Sequence, residues 1–113
     1  MAMKTNRFDP QSALSAHGAE MLCAPLMPEG VKTPFGHSYG LLEKTGQVME
    51  THSHHTDEMY LFLSGEGEMT VGEETQTLRA GDVLLIPPDV PHSLTCTVAP
   101  CLIAALWWDP MND

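Results

Sequence analysis

An all-β barrel or sandwich is the fold this sequence predicts, on three observations. From Phe35 onward, short runs of strand-forming residues alternate with Gly, Pro and Asp turn signals at intervals of roughly eight to twelve residues. No segment shows the capped 3.6-residue periodicity of a long amphipathic helix, and there is no internal repeat or low-complexity tract. The length of 113 residues with 42% hydrophobic content suits one globular domain with a modest core.

Taken in order, residues 1–34 read as an N-terminal arm and edge segment, and 35–113 as the barrel of what is a single domain. The stretch 1–19 is polar, with Asn6, Asp9-Pro10, Gln11 and Ser12, and reads as an arm or fraying terminus. "AEMLCAPLMPEG" (19–30) is more apolar but broken by Pro25, Pro28 and Gly30, so it reads as an edge strand or an extended segment packed on a partner. "FGHSYGLLEK" is a strand ended by a Thr45-Gly46 turn. "EMYLFLSG" leads into "GEMTVGEETQTLR", a hairpin around Gly72-Glu73-Glu74. After the turn Ala80-Gly81-Asp82 come "VLLIPP", "PHSLTCTV", a break at Ala99-Pro100, and "CLIAALWW".

Charge narrows the partners. Five Lys+Arg against fifteen Asp+Glu give a formal net charge of −10. Nucleic acid and anionic membrane surfaces both require clustered cations, so neither is an expected partner. The five basic residues, Lys4, Arg7, Lys32, Lys44 and Arg79, are scattered. A phosphorylated or nucleotide-linked substrate normally meets two or more such side chains or a Gly-rich helix start, and neither is present. No apolar stretch reaches membrane-spanning length, and the first twenty residues lack the apolar centre of a signal peptide, so a cytoplasmic location is expected. Cys23, Cys96 and Cys101 are odd in number and fit no disulfide framework or CxxC metal pattern.

The chemistry concentrates in "THSHHTDEMY" (51–60), which holds three of the six histidines. On an extended strand His52 and His54 point the same way and His55 the other. After a turn at Thr56-Asp57 the strand restarts, with Glu58, Tyr60 and Phe62 on one face. Two imidazoles and a carboxylate converging there make a three-point metal face; the alternative is a polar loop of solvated histidines.

A second stretch, "GDVLLIPPDVPHSLTC" (81–96), puts His92 after Pro91 at the start of a strand. Together the two stretches resemble the paired motifs of the cupin superfamily. Gly46, His52, His54, Glu58 and Gly65 meet every spacing of the first motif, and Gly81, Pro87 and His92 match the second. Asp89 stands where the pattern has Gly, and Cys96 where it has Asn. Asp tolerates left-handed turn geometry, so the first departure is mild; the second removes an amide four residues after His92.

The resemblance covers about residues 35–108. It implies a double-stranded β-helix (jelly-roll) cupin barrel of the RmlC-like, single-domain kind, which closes its sheet edges. It further implies that His52, His54, Glu58 and His92 hold one divalent transition metal. Three histidines and one carboxylate suit Fe, Mn, Ni, Co, Zn or Cu alike. Such a site keeps coordination positions open for a small oxygenated molecule or simple carboxylate. The function expected is a metal-dependent enzyme of dioxygenase, isomerase or lyase type. The alternative is a non-catalytic cupin that binds or senses a small molecule.

Candidates for acid–base or thiol chemistry are Tyr60, His37, Glu43 and Cys96, each with a structural reading beside it. On alternation from the ligands, His37, Tyr60, Phe62, Leu94 and Cys96 are expected to line the cavity. Of Trp107 and Trp108, one is expected in the core and one at a rim or interface. The apolar segment 19–30, outward-facing Met59 and Leu61, and the paired tryptophans suggest a homodimer.

Overall fold

Two long strands, paired antiparallel along their whole length, organise the chain. The computed structural model describes residues 2–16 and 20–111, within which there are eight strands. These are β1 (Leu14–Ala16), β2 (Met21–Ala24), β3 (Gly36–Leu42), β4 (Val48–His52), β5 (Asp57–Val71), β6 (Glu74–Arg79), β7 (Val83–Ile86) and β8 (His92–Trp108). The long pair is β5 and β8, in register from Asp57↔Trp108 to Val71↔His92. The register slips between Phe62 and Gly67, opposite Val98 to Leu102.

That slip divides the spine into two halves. The first half of β5 and the last half of β8 are flanked by β7 and by β3, which carries β2 and β1 outside it. The second half of β5 and the first half of β8 are flanked by β6 and β4. The eight-stranded antiparallel sheet therefore folds over on itself, the jelly-roll arrangement that the sequence predicts.

The stretch read from sequence as a break, Ala99-Pro100, is continuous strand, and so is the junction at Ser64-Gly65. Ser64-Gly65 lies inside β5, and Ala99-Pro100, joined by a cis peptide, lies inside β8. Gly and Pro usually punctuate strands, but they are also tolerated at bulges, where a ladder hydrogen bond is already missing. Gly65 shows why the position cannot carry a side chain. It sits at φ 70°, and a Cβ there would lie 2.2 Å from the Pro100 carbonyl oxygen and 2.3 Å from that of Val98. The two backbones touch at the bend.

The arm is tied down rather than frayed. Asn6 Nδ2 donates to the carbonyls of Pro25 and Leu26, Phe8 packs on Tyr39 with ring centroids 5.2 Å apart, and β1 pairs with β2. In the segment 19–30, whose first residue Ala19 lies outside the described residues, β2 is an inner strand between β1 and β3. Its Met21 belongs to this chain's own core.

The core fills the space between the two halves with Met21, Leu42, Met49, Phe62, Leu94 and Ile103, all 2% exposed or less. Along β5 the alternation holds as expected, with Glu58, Tyr60 and Phe62 all inward. The expected hairpin forms, with Val71 paired to Glu74 and Gly72 at φ 59° in its two-residue loop.

Gly65→Ala is expected to destabilise the fold well beyond the 1–3 kcal/mol or so of an L-residue at positive φ, because backbone oxygens block the methyl. Gly81→Ala, at φ 95° with nothing near its Cβ, should lose only the conformational part. Thermal unfolding followed by circular dichroism checks the difference, expected to be several degrees.

Candidate metal centre

The site forms where β4 ends, β8 begins and β5 begins. His52, the last residue of β4, is the direct cross-strand partner of His92, the first of β8. An extra residue bulges out of β4 between Met49 and His52, which brings the two imidazoles opposite each other with centroids 4.3 Å apart. His54 lies beyond β4, in the connection to β5, so it is placed by a loop and not by strand alternation. Its ring is 5.0 Å from that of His92 and 5.7 Å from that of His52.

One ligand nitrogen from each of His52, His54 and His92 lies within 4.8 Å of the others, so this set could hold a metal ion. Glu58, 6% exposed, brings Oε1 to 2.9 Å from His54 Nε2 and 3.5 Å from His92 Nε2. The structure thus gathers all four residues named from sequence, with the three histidines forming the converging set and the carboxylate touching two of them.

Hydrogen bonds to the far side of each ring fix which nitrogen faces inward. His52 Nδ1 donates to the Glu50 carbonyl at 2.9 Å, and His92 Nδ1 donates to the Val90 carbonyl at 2.9 Å. A carbonyl oxygen only accepts, so both neutral rings carry the proton on Nδ1 and the lone pair on Nε2. His54 Nδ1 meets the Thr56 hydroxyl at 2.7 Å, a group that adapts to either tautomer. Partners of this kind orient metal-binding imidazoles.

A further observation tests the fit to a cation. His92 Nε2 is buried with no hydrogen-bond partner. A buried polar atom left so costs about 1–3 kcal/mol, and a positive ion among the three lone pairs and the Glu58 carboxylate answers it. The residues fit a divalent metal.

Burial holds the His52 imidazole below its ordinary pKa, so the ring is neutral at pH 7, as a ligand must be. A depressed imidazole binds its proton less readily folded than unfolded. Its contribution to stability is therefore full above about pH 6.5 and is lost on acidification through that range.

Asp89 links the two motifs at this site. It sits at φ 66°, the left-handed geometry that sequence reading allowed it in place of Gly. Its N–H donates to the His54 carbonyl at 2.8 Å, and its carboxylate meets His55 Nδ1 at 2.8 Å. His55 points outward as expected, but it is paired with Asp89 rather than simply solvated.

The other candidates stand elsewhere. His37 Nδ1 accepts the N–H groups of Leu26 (3.1 Å) and Met27 (3.3 Å), so this ring pegs the chain before β3 and is not a cavity wall. Glu43 is exposed past the Leu42 end of β3, whereas the site lies by the Gly36 end. Phe62, Leu94 and Cys96 face inward but are packed in the core, and burial raises the Cys96 thiol. Cys101 behind it is pushed up to about 12, so both are inert small hydrophobes. Tyr60 alone remains near the centre. Burial, with Glu58 adjacent, pushes its phenol well above the usual range, so it stays protonated, and it donates to Met49 Sδ at 3.5 Å.

Sequence reasoning missed Thr56 and the place of Trp107. The indole joins His52, His54, Thr56 and Glu58 around a cavity of about 240 Å³. Strand pairing was the missing signal, since Glu58↔Trp107 and Gly36↔Trp107 put that ring beside the ligands.

Comparison with known proteins agrees with this geometry. Residues 41–107 match the sequence profile of the Cupin domain family. An uncharacterized protein of Methanocaldococcus jannaschii, MJ1618, is 32% identical over 74 residues, which is 65% of this chain and 57% of that protein's length. A Cupin 2 conserved barrel domain protein from Salinispora arenicola superposes with a TM-score of 0.82 at 25% identity, over 96% of this chain and 91% of that one. An RmlC-like cupin from Shewanella frigidimarina superposes with a TM-score of 0.72 at 18% identity, over 97% and 96%.

His52→Ala, His54→Ala and His92→Ala are each expected to cut metal content several-fold by elemental analysis while keeping the β-type circular dichroism spectrum. His55→Ala should keep the metal. The opposite result for His54 and His55 would mean that the other imidazole faces the site. Wild-type protein should also release metal on acidification below pH 7, as protons compete with the ion for the ligand nitrogens.

Proposed function

The chain belongs to the Cupin domain family, and on that premise we propose that it is a metal-dependent enzyme acting on a small oxygenated molecule or simple carboxylate. The observation that carries this reading is the convergence of three histidine nitrogens, one of them buried without a partner, beside a cavity of about 240 Å³ that His52, His54 and Glu58 line. His52, His54 and His92 would hold the metal, with Glu58 as the fourth group. A divalent ion there would supply Lewis-acid polarisation of a carbonyl or carboxylate, as an isomerase or lyase needs, and a redox-active one would add the electron transfer that a dioxygenase needs. The protein's own part is to orient the rings through Glu50, Val90 and Thr56, and to wall the cavity with Trp107.

Charge supports the substrate class. Among the described residues no Lys or Arg lines this cavity, and Lys44 and Arg79 are exposed. A single carboxylate is compatible with one divalent ion and one ligand carboxylate, whereas a phosphate plus a carboxylate is not. A second reading, a non-catalytic binding or sensing module, draws on a specific observation. His37, Glu43 and Cys96 stand away from the centre and Tyr60 stays protonated, which leaves Glu58 as the one carboxylate beside the histidines.

We also place a second copy of this chain on the outer face of β7, where Val83 and Leu85 are 59% and 66% exposed on one side of the strand. Light scattering at micromolar concentration should return the mass of two chains; the 12.4 kDa of one chain would exclude it.

Elemental analysis of protein purified without added metal is the first test of the main reading, and it should find one transition metal ion per chain. In a thermal-shift panel on that protein, small carboxylates, diketones and catechol-like chelators should stabilise more than sugar phosphates. Stabilisation by a nucleotide sugar and by no chelating acid would overturn the proposal. Turnover of a stabilising acid would separate the enzyme from the binding module.

A further inference from the structure

Two cavities lie side by side next to the histidine cluster, and they share two walls. The outer one, about 240 Å³, opens onto His52, His54 and Thr56. The inner one, about 150 Å³, is lined by Met21, Met49, Tyr60, Ile103 and Ala105, with Cys23, Ser38 and Tyr39 on its β2–β3 side and none of the histidines. Glu58 and Trp107 line both. We infer that these are two compartments of one ligand site, which takes a two-oxygen chelating head at the histidines and a neutral apolar tail in the inner chamber. This deepens the enzyme reading above and rests on it.

The chamber's chemistry selects the tail. Met21, Met49, Ile103 and Ala105 are all buried and apolar. The polar side chains of Tyr60, Ser38 and Glu58 in its wall are already engaged. The Tyr60 hydroxyl donates to Met49 Sδ at 3.5 Å, Ser38 Oγ lies 3.2 Å from the Ala24 carbonyl and 2.6 Å from that of Tyr39, and the Glu58 carboxylate is 2.9 Å from His54 Nε2. Among the described residues no Lys or Arg is in its wall. A charged or hydrogen-bonding tail would therefore lose its water with nothing in return. At roughly 30 Å³ per water-sized group, the space holds about five heavy atoms.

Trp107 sets the boundary between the compartments, and Gly36 sets Trp107. The two residues are cross-strand partners, and a Cβ on Gly36 would lie 2.0 Å from both Cε2 and Nε1 of the indole. The ring rests on bare backbone. Gly36 has ordinary backbone geometry, so the glycine is there for space and not for conformation. Any side chain at that position would move the indole toward or away from the chamber.

The test uses the full chain loaded with zinc, in a Trp108→Phe background that leaves Trp107 as the reporter. Isothermal titration with 2-oxo acids keeps the head constant while the tail grows from methyl to hexyl. Affinity should rise about three- to fourfold for each methylene up to butyl or pentyl, then fall at hexyl. Trp107 emission should respond to the longer tails and not to pyruvate. Ala105→Leu should move the optimum to shorter tails and Met21→Ala to longer ones, both with metal content unchanged; either shift alone supports the inference if the other variant does not fold. Binding that is metal-dependent but indifferent to tail length would overturn the two-compartment site and leave the enzyme reading standing. Tighter binding of a dicarboxylic 2-oxo acid than of its neutral-tailed counterpart would do the same. Failure of every 2-oxo acid to bind zinc-loaded protein would overturn the two-compartment site, and failure of diketones and catechol-like chelators as well would overturn both.

Discussion

The constraint on which the rest depends is the continuous pairing of β5 with β8 through a shared bend. Each strand belongs to one half of the folded sheet at its start and to the other half at its end. The start of β5 carries Glu58, and the start of β8 carries His92, so the two residues come from different halves. They nevertheless approach to 3.5 Å, because the bend folds those halves toward each other. Straight strands would hold them far apart. Gly65 permits the bend by letting its backbone meet the carbonyls of Val98 and Pro100, and Gly67 permits it where a Cβ would meet Leu94 at 2.5 Å. The site is thus assembled by main-chain geometry in the middle of the barrel, several residues from any ligand.

That dependence explains what was legible in the sequence. The resemblance to the two cupin motifs points to His52, His54, Glu58 and His92, because such a motif records where the chain must turn as well as which residues ligate. Alternation along β5 correctly put Glu58, Tyr60 and Phe62 on one face. A face is not a place, however. The inward side of a barrel includes both its cavity and its packed core, and alternation does not separate them. Phe62, Leu94 and Cys96 lie on the inward side at depths where apolar neighbours fill the space. Pro100 reads as a break because proline usually ends a strand; here it serves a bend that only the pairing of β5 with β8 reveals. His37 was beyond reach for a related reason, since the amides it accepts belong to a segment ten and eleven residues away with no pattern of its own.

Stability and function are divided between the two ends of the same strands. Along β5, Phe62 and Met69 join a cluster that includes Leu42, Met49, Leu94 and Ile103, and truncating one such side chain to alanine typically costs about 2–5 kcal/mol. At the starts of β5 and β8, three imidazoles and a carboxylate share one small space, and one buried nitrogen lacks a partner. The core end supplies the packing that keeps the polar end in place. A cation bound only by the folded state then adds to stability by mass action, so metal binding and folding are thermodynamically linked.

Asp89 shows how a departure from the family pattern can strengthen that link. Glycine at this position would give the left-handed turn and the N–H that donates to the His54 carbonyl, and nothing more. Asp gives both and adds a carboxylate that holds His55. His54 is the one histidine of the set that no strand positions, since β4 ends at His52 and β5 begins at Asp57. Its loop is therefore gripped from two sides of the same aspartate, through the backbone at His54 and the side chain at His55. The conformational cost of an L-residue at φ 66°, of order 1 kcal/mol, is set against two hydrogen bonds to the segment that most needs ordering. Because the contact with His55 is exposed, its worth lies in orientation more than in energy. The substitution keeps the turn that the second motif requires and fastens it to the loop of the first.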